Sequence, residues 1–351
     1  IEVGLGFDYD ENCINVANNI SKILEKNNLE FIIHDFDKNT YDELKNKIKF
    51  KPDIVFIRFS DLLFPLVFLV LLPLRLMKKK IVVDVPTPRK IGLREMDIII
   101  QNPVKRIVRK LGSYASASWV LMPANIIVQY AEEGPWFSFG VAHKTIKMGN
   151  GILIDDTSTL KREKKPSDRI NLIAVGQLAS WHGFDRILYA LHELKKENSN
   201  CRFTFTVVGD GAFLEELKTL ANQLNLQNVK FTGQLTGKAL DRVFEAAHIG
   251  VSSLGLFRVG LSEASVLKTR EYLARGLPVI AVGADPDFTR SDSEKFRYIV
   301  SNDNNNEGLV DLLKSFLLTK ASIPSPVDCH SFAKNTLNLE LKVGQIIEIL
   351  S

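Results

Sequence analysis

Short runs of β-branched and aromatic residues alternate with longer amphipathic stretches along the whole chain, and this alternation limits the folds open to it. In the first half, strand-like runs fall at residues 1–6, 30–34, 53–58, 80–84 and 118–122. Helix-like stretches fall at 12–27, 40–49, 62–77, 104–115 and 123–131. In the second half, strands are expected at 170–175, 203–208, 229–232, 248–253, 278–282 and 297–300. The helices there are expected at 184–197, 213–225, 237–247, 266–275, 307–318 and 331–350. Strands separated by helices pair in parallel, because each crossover returns the chain to the end where it began. The expected fold class is α/β, with two Rossmann-like domains.

The seam between the halves is expected at GNGILIDDTSTLKREKKPSDR, residues 149–169, which carries turn glycines, a polar charged run and then Pro166 before a new strand. This divides the chain into a first domain at 1–150, a linker at 151–168, a second domain at 169–330 and a terminal helix at 331–351 that packs back toward the first domain. With 351 residues, two cores of ordinary size are affordable. Doubly wound sheets bind ligands at the carboxyl ends of their strands, so chemistry is expected there, in a cleft between the domains.

Three isolated cysteines, with no CxxC pair, argue against a disulfide framework or a zinc knuckle and for a reducing compartment. Residue 1 already opens a strand-like run, IEVGLGF, so no secretory leader is expected and the localisation is read as cytoplasmic. The positive charge is local: residues 75–110 hold 11 basic side chains against 3 acidic ones.

The segment EASVLKTREYLARGLPVIAV, residues 263–282, concentrates charge at the start of a helix that feeds a strand. The helix is expected to start near Val266 and stop at Arg275, with Gly276 as its left-handed terminator. Val266, Leu267, Leu273 and Ala274 form the expected buried side, and Lys268, Glu271, Tyr272 and Arg275 a polar stripe. Unpaired N–H groups at the helix start, with Lys268 one turn in, suit an anion. Upstream, GQLASWHGFDRILYALHEL, VVGDGAFLEELKTLA and FTGQLTGKALDRVFEAAHIGVSSL each leave a strand through a glycine turn, at Gly176, at Gly209 and Gly211, and at Gly233. Glycine there lets backbone N–H groups approach a ligand closely.

Together, AVGQLxxxHGFDRxLxAL, VVGDGxxxxxL, VKFTGQL, AHIGVSSL and ExxxLKxREYLARGLPVIA resemble the retaining GT-B glycosyltransferases of glycosyltransferase family 4. The resemblance covers most of residues 170–282, with Asn150-Gly151 and the final helix in weaker support; the first half shares only the alternating pattern. It implies transfer of a sugar from a nucleoside-diphosphate donor, a UDP- or GDP-sugar, to a glycan or lipid-linked acceptor, without a cofactor or metal. Bacterial surface polysaccharide or lipopolysaccharide assembly is the process it suggests. By the same resemblance, Glu271 accepts hydrogen bonds from ribose hydroxyls, Glu263 orients the sugar, and backbone N–H groups at Ala264, Ser265 and Val266 meet sugar and phosphates. The family usually places an Arg near position 177 and a Lys near 182 on the diphosphate; this chain has Gln177 and His182. His182 remains a hydrogen-bond donor, charged if the phosphates raise its pKa, and Lys268 replaces part of the lost charge, with Arg258 and Arg270 as lesser candidates. Gly4 and Gly6 are expected on the phosphate or acceptor side. Two alternatives stay open, a nucleotide-sugar 2-epimerase of the same fold and a catalytically silent nucleotide-sugar-binding module.

Other signals discriminate poorly. Asp8-Tyr-Asp10, Asp35-Phe-Asp37 and Asp285-Pro-Asp287 all match a D-x-D metal pattern, and neither Gly4-Leu-Gly6 nor Gly209-Asp-Gly211 completes G-x-G-x-x-G, which disfavours a dinucleotide oxidoreductase. LLFPLVFLVLLPLRLM, residues 62–77, is too short to span a bilayer and carries Pro73. It reads either as a crossover helix buried on the sheet or as a hydrophobic wedge at a membrane. Lys78, Lys79, Lys80, Lys105, Arg106, Arg109 and Lys110 are the candidate contacts to an anionic membrane in a peripheral association. Nucleic acid is not an expected partner, since no aromatic-interleaved basic motif accompanies these cations.

Overall fold

The computed structural model describes residues 54–59, 64–85, 87–154, 169–197, 202–318 and 323–350. The elements expected over residues 1–49, with Gly4 and Gly6, lie outside the described residues. The fold is α/β and built on parallel sheets, and the chain divides into two compact units: Ile1–Met148 with Leu339–Ser351, and Gly149–Asn338.

In the first unit, strands β1 (Ile54–Arg58), β2 (Lys80–Val85), β3 (Ile126–Gln129) and β4 (Thr145–Lys147) lie in that order, each pair parallel. Side chains alternate between faces, as a two-residue period requires. Val55, Ile57, Ile81, Val83 and Ile127 face one way, onto Val67, Val70, Leu71 and Leu74 of the helix Phe64–Leu76. Phe56, Val82, Ile126 and Val128 face the other way and are covered by Leu339, Val343 and Ile346 of the C-terminal helix Leu339–Leu350. The apolar stretch 62–77 is thus a crossover helix with one stripe buried on the sheet, while Leu69, Leu72 and Leu76 stay exposed.

Two expectations need correction. SWVLM at 118–122 is a 3₁₀ turn, Trp119–Leu121, and the strand is β3, within the stretch expected to be helical at 123–131. Pro123 cannot donate into a ladder, whereas the β-branched Ile126–Val128 can pair. Asn125 fixes the register: its N–H donates to the Ile81 carbonyl at 2.8 Å and its Oδ1 accepts the Ile81 N–H at 2.9 Å. The stretch 331–350 is not one helix either. Helix Pro326–Phe332 runs into a π-helical turn, Ala333–Leu337; Asn338 is then extended and bridges to Ile152 before the last helix. Finally, the helix Arg89–Ile99 fills a stretch that had no assignment.

The second unit holds β5 (Ile170–Val175), β6 (Phe203–Val208), β7 (Val229–Gly233), β8 (Ile249–Val251), β9 (Val279–Val282) and β10 (Arg297–Val300). They form one parallel sheet in the order β10-β9-β8-β5-β6-β7. The order reverses between β5 and β8, so crossovers leave these two strands toward opposite faces and open a crevice at their carboxyl ends. Helix Leu267–Ala274 packs beside them. Tyr272 lies against Gly250 of β8, where a Cβ would come within 2.4 Å of the ring, and its hydroxyl accepts the Val175 N–H at 2.8 Å.

Candidate functional site

The helix Leu267–Ala274 begins with no side-chain cap at Val266. Its end is closed as expected, by Gly276 at φ 82° with Leu277 N–H donating to the Tyr272 carbonyl at 2.8 Å and Gly276 N–H to Leu273 at 3.0 Å. The expected polar stripe is corrected. Tyr272 is fully buried, only Glu271 and Arg275 of the four turn charge toward solvent, and Lys268 points its ammonium inward.

Lys268 is the unusual group. Its Nζ is cut off from solvent, has no hydrogen-bond partner among the described residues, and lies 5.1 Å from the centre of the Phe184 ring. A Cβ built on Gly176 would stand 3.4 Å from that same Nζ, so the ammonium lies against the turn that leaves β5. Burial pulls the Lys268 pKa down to about 7. His182 also packs on the Phe184 ring, stacked at 5.4 Å between centroids. Its pKa is pushed down to about 2, first by burial and then by Lys268. In the ligand-free protein His182 is therefore neutral. Its Nδ1 accepts the Ala179 N–H at 3.3 Å, so the neutral ring keeps its proton on Nε2, where it can donate. Gln177, the other departure, is exposed.

The glycine turns pack on one another. A Cβ on Gly209 would meet the Gly176 carbonyl oxygen at 2.0 Å, and one on Gly211 would meet that of Leu178 at 2.4 Å. Both glycines are needed so that the turns after β5 and β6 can touch, and only Gly233 opens onto free space. The turn after β5 is also bolted to the loop after β8: Leu254 N–H donates to the His182 carbonyl at 2.7 Å, and Arg258 donates to the Ser180 carbonyl at 2.6 Å.

The two lesser cation candidates are engaged elsewhere. Arg258 forms a paired contact with Asp185 at 2.7 and 2.9 Å. Arg270 is fully buried and clamped by both oxygens of Asp285 and by Asp287 at 2.9 Å, and it donates to the Asn150 carbonyl at 3.2 Å. Burial opposes its charge, but the two carboxylates outweigh that and raise its pKa. Asp285-Pro-Asp287 is thus the counter-charge of Arg270. The Gly149-Asn150 turn rests on this cluster, where a Gly149 Cβ would overlap Asp287.

Glu271 is half-exposed and reaches Arg275 at 3.2 Å, and Arg275 also bonds Asp241 at 2.8 Å. Glu263 lies on the extended stretch before the helix, bridged in parallel to Ala284. The Ala264 N–H already donates to the Ala284 carbonyl at 3.0 Å, so it is not available to a ligand as expected. Ser265 is held by Asn150, whose N–H donates to its Oγ at 2.5 Å and whose Nδ2 donates to its carbonyl at 2.6 Å. The structure therefore brings Gly176, His182 and Lys268 together, with Glu271 one turn further along the helix. Sequence reasoning missed Phe184, the floor under both His182 and Lys268; its place in HGFDR was the available signal.

The family model for glycosyl transferases group 1 matches residues 155–336, more than half of the chain. The chain belongs to the glycosyl transferases group 1 family. As a glycosyltransferase, it has the fold of other such enzymes. A glycosyltransferase from Rickettsia africae ESF-5 is 16% identical with a TM-score of 0.63, over 95% of this chain and 93% of that one. HepE from Anabaena, solved with UDP and glucose, is 12% identical with a TM-score of 0.62, over 96% and 95%. WaaG, a glycosyltransferase involved in lipopolysaccharide biosynthesis, is 14% identical with a TM-score of 0.59, over 96% and 95%. At these identities the likeness concerns the fold. A comparison with curated proteins gives no match.

Proposed function

We propose that this glycosyltransferase moves a sugar from a UDP- or GDP-sugar to a glycan or lipid-linked acceptor, with retention at the anomeric carbon, in surface polysaccharide or lipopolysaccharide assembly. One observation carries the reading: the Lys268 ammonium is buried without a counter-charge among the described residues, at the strand-order reversal and beside the start of an uncapped helix. A buried charge is costly unless paired, so the site is completed by an anion. A diphosphate suits it, because helix N–H groups and the ammonium then share its oxygens. Breaking the anomeric bond leaves charge on that diphosphate, and donors fixed there stabilise the transition state. His182 adds a neutral N–H. Glu271 takes the ribose hydroxyls and Glu263 orients the sugar, so the positive charge comes from Lys268 rather than from a metal or cofactor. Retention follows front-face attack, in which the leaving phosphate takes the acceptor's proton and no protein nucleophile is used.

HepE, solved with UDP, and WaaG and the galactosyltransferase WaaB, both named for lipopolysaccharide, support this direction, and none of them favours the epimerase. No helix among the described residues is long and apolar enough to cross a membrane. Peripheral contact of the basic residues in 75–110 with the inner face of an anionic membrane belongs to the same reading. A thermal-shift panel of nucleotides and nucleotide sugars tests the donor: UDP- or GDP-compounds should raise the melting temperature, because a ligand of the native state stabilises it. Glu271→Ala should abolish most of that shift, whereas Glu263→Ala should keep it and lose turnover. Variants that both bind and react like the parent would refute the site.

A further inference from the structure

In the first unit, the helix Pro103–Ser116 is mounted with its apolar face outward. Ser113 and Ser116 are its buried residues. On the opposite side, Val104, Ile107, Val108 and Leu111 are 69%, 58%, 62% and 64% exposed, and Tyr114 continues the stripe. These positions recur at i, i+3, i+4, i+7 and i+10, which is one face of an α-helix. A soluble helix ordinarily buries such a face.

The helix is already formed without a partner. Asn102 caps it by accepting the Lys105 N–H at 3.0 Å, and Pro103 occupies the first turn. Aromatic rings gather at its far end. Trp119 donates its indole N–H to the Ala115 carbonyl at 2.8 Å, and Trp136 donates to Tyr114 at 3.1 Å. Each indole is tethered by its nitrogen and keeps part of its ring exposed, Trp136 by 59%.

Charge selects the occupant. The helix carries Lys105, Arg106, Arg109 and Lys110 and no acidic residue. Lys105 and Lys110 flank the apolar stripe, roughly 100–120° to either side at 3.6 residues per turn. Lys110 also bonds Asp97 at 2.7 Å, which holds one edge of the helix against its neighbour. An apolar stripe flanked by Lys105 on one side and the Asp97-paired Lys110 on the other, on a helix without acidic residues and ending in tethered indoles, matches the boundary between acyl chains and anionic headgroups.

We propose that the outward face of helix Pro103–Ser116 is the surface by which this protein docks on an anionic lipid bilayer, with Val104, Ile107, Val108 and Leu111 entering the headgroup–acyl boundary. The inference rests on the peripheral-membrane part of the proposed function and specifies its element. The inserted surface is this helix rather than the apolar helix Phe64–Leu76.

Flotation of the full chain with vesicles of phosphatidylcholine, with and without phosphatidylglycerol, tests it. The parent should float with the anionic vesicles and not with the neutral ones. Ile107→Asp/Leu111→Asp should lower the bound fraction about tenfold or more, since two apolar side chains lose their burial. Lys105→Glu should weaken binding less and make it less sensitive to salt, because a smaller share of the attraction is then open to screening. Leu69→Asp, on the exposed side of the other helix, should float like the parent. The nucleotide thermal shift is measured on every variant: retained shift with lost flotation supports docking, and its absence from the parent would count against the donor site alone. Docking by this helix is overturned if the parent ignores anionic vesicles, or if Ile107→Asp/Leu111→Asp floats unchanged. It is equally overturned if that variant instead converts a dimer to a monomer, because the face then belongs to a second copy.

Discussion

Two cations stand two residues apart on the helix Leu267–Ala274 and have opposite surroundings. Arg270 is fully enclosed and clamped by Asp285 and Asp287, with the Asn150 carbonyl as a further acceptor. Lys268, also cut off from solvent at its nitrogen, has an aromatic ring, a glycine turn and, among the described residues, no counter-charge. Arg270 is a structural cation: it ties the helix to the loop after β9 and to the Gly149-Asn150 turn. In the proposed function, Lys268 is completed by the donor's diphosphate. The same kind of charge, on the same element, is neutralised by two carboxylates on one side and, among the described residues, left without one on the other.

The contrast is broken most directly at Arg270. Replacing it by Met strands two buried carboxylates, and losing one partner of a buried pair costs about 3–5 kcal/mol. Urea unfolding should show a loss of that order, together with poor expression. A variant with parental stability would mean that the cluster is not the structural member of the comparison.

Lys268→Met tests the other side and should have the reverse sign for stability. With no carboxylate to orphan, it removes an unpaired buried charge and raises the melting temperature of the ligand-free protein. Nucleoside-diphosphate binding should fall about 10- to 100-fold, the value of a hydrogen bond to a charged group. If the variant is destabilised and binds donor normally, Lys268 is an ordinary packing residue.

Much of this site was legible in the sequence, and the rest was hidden for identifiable reasons. The strand runs after 170 and the helix closed by Gly276 depend on local pattern, and the structure has them, with Lys268 in the first turn of that helix rather than one turn inside it. The pairing of Arg270 with Asp285 and Asp287 crosses a strand and a turn, so the two acids read only as a metal-like D-x-D. Gly209 and Gly211 looked like ligand-approach glycines because a chain's own backbone and a ligand impose the same need for missing side chains. In the first unit, SWVLM and NIIVQ are both short apolar runs, and only pairing with Ile81 decides which is the strand. The stripe on Pro103–Ser116 is periodic in the sequence, but period alone does not say whether an apolar face points in or out.

The smallest expected effect is a pH dependence that sharpens the contrast between the two cations. Lys268 has a folded pKa of about 7, lowered from 10.5 by burial. Below pH 7 the folded and unfolded chains both hold its proton, so the burial penalty is fully present and constant. Between about pH 7 and 10.5 the unfolded chain holds more protons, so this residue's contribution makes stability rise with pH. A bound diphosphate reverses the preference by favouring the charged amine, so binding takes up a proton. Its affinity should therefore fall as pH rises above about 7, by no more than about tenfold per unit for one proton, where a phosphate's own second ionisation near about 6 is already complete. Calorimetric titration of UDP at several pH values, on the parent and on Lys268→Met, measures this. A slope in the parent that vanishes in the variant assigns the proton to Lys268; the same slope in both moves it to another group and leaves the buried amine without its proposed role.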